Sequence, residues 1–100
     1  MPERGYDGPV EQFAALPGYE WIRDGLADLA RGEVTVASLL VSIGAPRLRR
    51  LGFDLANPIE NPERRLYELF HAEDQDSAHG RYNALVRRLV SFEQAAECAS

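Results

Sequence analysis

A chain of 100 residues that is 45% hydrophobic and 27% charged has the size and balance of one globular domain, which excludes an intrinsically disordered polymer. Its net charge of −5 excludes general affinity for polyanions unless positive charge is concentrated on one face. The longest apolar run, Leu39-Leu40-Val41, falls far below the ~20 residues that a membrane-crossing helix needs, so no membrane partner is expected.

The charge is uneven. Residues 1–45 hold seven acids against three arginines (net −4), and residues 46–100 hold nine against eight (net −1). All eleven basic residues are arginine, and Arg47, Arg49 and Arg50 form the densest cluster. Cys98 is the single cysteine and has no partner for an internal disulfide. The first thirteen residues lack the apolar core of a secretory leader, and the expectation is a cytoplasmic protein. Neither glycine-rich phosphate-binding pattern occurs, and no cofactor is expected.

Residues 1–18 are punctuated by Pro2, Pro9 and Pro17 and by Gly5, Gly8 and Gly18, so a loosely ordered N-terminal segment is expected ahead of a helical domain at 19–100. Within it, Val10 to Leu16 can form a short helical turn started at Pro9, with Phe13 and Leu16 docking on the body. The first full helix is expected over Tyr19 to Arg31, where Tyr19, Ile22, Leu26 and Leu29 step by three and four onto one face. Gly32 suits a left-handed cap, and Gly25 inside the helix implies a close crossing by another backbone.

Thr35 is a good N-cap for a second helix, Val36 to Ile43, whose apolar positions are dense enough for burial on most sides. Pro46 then starts a short helix to Leu51, stopped by Gly52. From Gly52 to Asn61 no period is visible. Asn61-Pro62-Glu63 combines an N-cap, a proline at the first helical position and an acid facing the helix dipole; Leu66, Tyr67, Leu69 and Phe70 form the inward stripe of that helix, which should fray near Glu73-Asp74. Capped by Asp76 or Ser77, the last helix runs from about Ala78 to Cys98. Its positions Ala78, Tyr82, Leu85, Leu89, Phe92 and Ala96 step by 4, 3, 4, 3 and 4 as a heptad seam. The expected fold is all-α, a compact bundle of four to five helices with the long amphipathic C-terminal helix as its central strut.

Three segments carry potential chemistry. Residues 34–53 resemble a helix-turn-helix in outline, with Arg47, Arg49 and Arg50 as a candidate anion-binding patch. The second helix is less than two turns long, however, and Arg50 occupies a position where an inward apolar residue is needed, so nucleic acid is the lesser expectation. His71, Glu73, Asp74, Asp76 and His79 gather metal-ligating types, yet the two histidines lie eight apart across a helix break rather than at the convergent i, i+4 spacing; metal binding or hydrolysis is a further alternative. Arg65 and His71 fall about 240° apart around their helix, which is poor geometry for joint action on one phosphate.

Surface residues remain. Trp21 lies about 100° off the apolar stripe of its helix, and Val90 points away from the C-terminal seam toward solvent. Arg81 and Arg88, seven apart, flank the seam where they can pair with acids of a neighbouring helix. The leading expectation is a small non-catalytic interaction or regulatory protein that acts through helix–helix contacts, with a protein partner or a second copy, using Trp21, Arg81, Arg88 and Val90.

Overall fold

The computed structural model describes residues 12–99. Five helices stand among them: α1 (Tyr19–Ala30), α2 (Val36–Ile43), α3 (Ala45–Arg50), α4 (Pro62–Glu73) and α5 (Ala78–Ala99), with no strand among the described residues. Every helix expected from the periodicity is present, with ends that agree to within one residue. The radius of gyration, 13.8 Å, is close to the ~13 Å of a compact domain of this length.

The helix ends are built by local chemistry. At the end of α1, Gly32 takes φ 74°; its N–H donates to the Leu29 carbonyl and the Glu33 N–H to the Asp28 carbonyl, both at 2.9 Å, a Schellman closure. The same motif closes α3, where Gly52 at φ 106° donates to Arg49 and Phe53 donates to Leu48, each at 3.0 Å. Thr35 caps α2 through a reciprocal box: the Ser38 N–H donates to Thr35 Oγ1 at 3.0 Å, and the Thr35 N–H donates to Ser38 Oγ at 2.7 Å. The start of α4 corrects one expectation. Asn61 precedes Pro62 as foreseen, but it sits in the left-handed region at φ 52° and its side chain caps nothing. At the start of α5 the Asp76 N–H donates to the Asp74 carboxylate at 3.1 Å, and the Ser77 carbonyl accepts the first helical bond from Arg81.

The central element is α2, not the long C-terminal helix. Six consecutive residues of α2, Ala37 to Ser42, are buried, and it packs against α1, α3, α4 and α5. A short helix that is apolar all round loses least by standing in the middle, whereas α5, polar along its outer face, must keep one side in water. The α5 seam is otherwise as expected: Ala78, Leu85, Leu89, Phe92 and Ala96 are buried and Tyr82 is half-buried. Gly25 marks the α1–α2 crossing, since a Cβ there would overlap the Ala37 carbonyl oxygen and stand 2.7 Å from Val41 Cγ1.

The packed body begins upstream of Tyr19. Phe13 is fully buried, its ring 5.5 Å from Phe53 and 6.3 Å from Phe92, and Leu16 packs beside it. Docking of Phe13 and Leu16 is therefore realised; of the segment 1–18 expected to be loosely ordered, residues 1–11 lie outside the described residues. The aperiodic stretch after Gly52 also enters the core through Phe53 and Leu55. Buried Ser42 ties this loop down: it accepts the Ile59 N–H at 3.0 Å and donates to the Ser38 carbonyl at 2.8 Å.

Candidate functional site

Three of the four residues expected at an interface meet in one place. Trp21 on α1 and Arg81 and Arg88 on α5 line a surface groove of about 470 Å³. Its apolar floor comes from Val36, Phe70 and Leu85, contributed by α2, α4 and α5. Trp21 is half-buried, consistent with a position at the edge of the α1 stripe. Its indole N–H has no hydrogen-bond partner among the described residues, so one side of the ring is packed and its donor is available.

The two arginines differ. Arg81 is prearranged: its guanidinium carbon lies 4.3 Å from the centre of the Phe70 ring, and Nη1 is 3.0 Å from Glu73 Oε1. Arg88 is exposed and makes no ion pair or hydrogen bond among the described residues. The rim therefore carries one stacked and one uncommitted cation above an apolar floor.

Val90 does not join them. The expectation that it faces solvent is corrected in part: it is half-buried and lines a separate open cleft with Ile43, Gly44 and Leu89, where the end of α2 meets α5.

The Arg47–Arg50 patch is largely occupied by the protein itself. Arg47 Nη1 is 3.3 Å from Glu93 Oε1, while Nε and Nη2 are 3.2 and 3.3 Å from the two carboxylate oxygens of Glu97. Arg49 Nη2 donates to the Leu55 carbonyl at 3.1 Å. Arg50 is exposed. A nucleic acid would have to displace two carboxylates from Arg47, a cost the bare sequence does not reveal.

Glu93 is the residue that helical periodicity passed over. Its side chain is 3% exposed, Oε1 faces Arg47, and Oε2 is buried with no hydrogen-bond partner among the described residues. Burial pushes its carboxyl above the ordinary value; Arg47 opposes the shift, Glu97 adds to it and Arg50 weakly opposes it. The available signal was a second stripe on α5, in which Val86, Val90, Glu93 and Glu97 step by four, three and four beside the main seam.

The 71–79 segment stays dispersed. His71 is exposed beside the Tyr67 ring, His79 Nε2 lies 3.0 Å from Asn83 Nδ2, and Glu73 is paired with Arg81. Among the described residues, no three His, Cys, Asp or Glu side chains converge as metal ligands. Arg65 is exposed and does not meet His71 in any contact among the described residues. Tyr67 and Tyr82 pack edge-to-face at 5.8 Å on the same flank, and burial, followed by the nearby Glu63 charge, pushes the Tyr82 hydroxyl pKa up. Among the described residues, no helix is long and apolar enough to cross a membrane.

No known protein family matches this chain, and neither a curated protein nor a solved structure matches it. The surface chemistry is therefore what speaks to function.

Proposed function

We propose that this protein is a non-catalytic interaction or regulatory module of the cytoplasm that takes an acidic, amphipathic helix of a protein partner into the groove between Trp21 and Arg88. The observation that carries this reading is the convergence of Trp21, Arg81 and Arg88, from two helices, on one apolar-floored groove. Tryptophan and arginine are the side chains that most often dominate interface energetics, because each contributes a large contact area together with a directional polar group. Charge complementarity selects the occupant. Arg88 is uncommitted among the described residues, so a carboxylate on the polar flank of an incoming helix gains an ion pair without displacing one. The apolar floor of Val36, Phe70 and Leu85 receives that helix's apolar face.

Trp21 is the single tryptophan, so its fluorescence reports directly on this groove. Titration with a model acidic amphipathic peptide should shift its emission to the blue as the indole loses water, and the same peptide with lysine at the acidic positions should not. Arg88→Glu should reverse that preference. Equal responses to both peptides, or a preference unchanged in R88E, would refute the assignment. Sedimentation of the chain alone separates a foreign helix from a second copy as occupant: a concentration-dependent dimer abolished by R88E would replace the partner helix by self-association.

A further inference from the structure

A second surface, sharing no lining residue with the Trp21 groove, lies open to solvent where α4 runs beside the start of α5. Tyr67 and Tyr82 form its floor, their rings edge-to-face at 5.8 Å, with the His71 ring tilted against Tyr67 at 6.1 Å. Glu63, Arg64 and Glu68 form its rim. Helix geometry sets this arrangement: Glu63, Tyr67 and His71 step by four along one stripe of α4, and Arg64 and Glu68 do so along the next. All three rim residues are exposed, and none makes an ion pair or a hydrogen bond among the described residues. The Glu63 charge is felt on the floor, where it adds to burial in raising the Tyr82 hydroxyl pKa.

The same pair of helices holds a filled version of this constellation. Arg81 lies 4.3 Å from the centre of the Phe70 ring and pairs with Glu73 at 3.0 Å, so one guanidinium is both stacked on a ring and neutralised by a carboxylate. Beside Tyr67 the rings and the carboxylates recur, but among the described residues no guanidinium stacks on them. We infer that this surface docks an arginine-bearing segment of a partner protein, its guanidinium lying over the tyrosine rings and pairing with Glu63 or Glu68. Charge complementarity names the occupant, since two accessible carboxylates against one guanidinium leave the rim net negative. Arginine fits better than lysine because its planar group stacks on a ring and meets a carboxylate through two parallel donors. Arg64 repels the occupant and limits its affinity. The inference does not depend on what the Trp21 groove binds.

The probe is a glycine–serine peptide carrying two arginines, compared with its lysine and citrulline counterparts, and the readout is amide and aromatic-ring NMR of the whole chain. The arginine peptide should give saturable shifts centred on Tyr67, Tyr82 and Glu68. Lysine should bind about threefold more weakly; citrulline, which keeps the planar shape without the charge, should bind at least about tenfold more weakly, a ratio worth about 1.4 kcal/mol. Glu63→Gln combined with Glu68→Gln changes only exposed side chains and should weaken the arginine peptide by about fivefold or more. Arg64→Gln should tighten it by about twofold, an effect that a purely structural rim would not show. Tyr67→Leu should remove most of the response while the α-helical circular dichroism is retained. Absence of saturable shifts in the wild type, equal binding of the citrulline peptide, undiminished binding by the double glutamine variant, or shifts centred on Trp21 instead would each overturn the proposal.

Discussion

Gly25→Ala tests the architecture at its tightest point. In an isolated helix this change is favourable, since alanine is better than glycine by about 1 kcal/mol. Here the added methyl would overlap the Ala37 carbonyl oxygen and come within 2.7 Å of Val41 Cγ1, against an optimum of about 3.5–4.0 Å for carbon pairs. Val41 can shift its side chain, but the Ala37 carbonyl belongs to the backbone of the central helix, so α1 has to move away as a unit. Overpacking of this kind costs about 1–3 kcal/mol, and a rigid backbone obstacle places it at the upper end. Subtracting the propensity gain leaves a net loss of about 2 kcal/mol. At about 4–8 °C per kcal/mol for a domain of this size, Tm should fall by about 8–16 °C. Gly80 provides the internal control: it also lies within a helix, α5, but nothing stands within 4 Å of its Cβ position, so Gly80→Ala should be neutral or stabilise by up to ~1 kcal/mol. Thermal and urea unfolding followed by circular dichroism measure both. If G25A melts at or above the wild-type temperature, α1 and α2 do not cross at this glycine and the core has been misassigned.

Other substitutions probe separate layers. Phe13→Ala should cost about 3–5 kcal/mol in urea unfolding, because it empties the pocket between Phe53 and Phe92; a loss below ~1 kcal/mol would mean that the segment before α1 is only loosely attached. Thr35→Ala should cost about 1 kcal/mol by removing the α2 cap, while Thr35→Ser, which keeps the hydroxyl, should restore most of it; failure of serine to rescue would assign the loss to something other than the cap. Glu93 shapes the pH dependence of stability. Its folded pKa is raised, so between the ordinary value of 4.5 and that raised value the native state binds more protons than the unfolded chain, and stability falls as pH rises through this window. Glu93→Gln should remove that part of the slope, and wild-type and E93Q stability curves that run parallel there would refute the assignment.

Much of the helical outline was legible because its causes are local. Thr35 three residues before Ser38, Pro62 at a first helical position and glycines in left-handed closures act within one turn of chain, and the 4-3-4-3-4 seam of α5 follows from helix geometry alone. The groove was half legible: Trp21, Arg81 and Arg88 stood out as residues at the margins of their stripes, but nothing local could say that they share a wall. Phe53 was hidden because its burial comes from the direction of the chain after the Gly52 closure rather than from any period of its own.

By itself the sequence determined which segments are helical, where they stop and which stripe of each leaves water, since hydrogen bonding within a turn and the 3.6-residue repeat depend on near neighbours. Only the tertiary structure decided that α2 is the hub, that Arg47 is held by Glu93 and Glu97, and that Val90 is half-buried beside the end of α2. Those outcomes depend on how whole helices are placed against one another. A charge forty-six residues away alters both the protonation of a carboxylate and the freedom of a guanidinium, and no local pattern carries that distance.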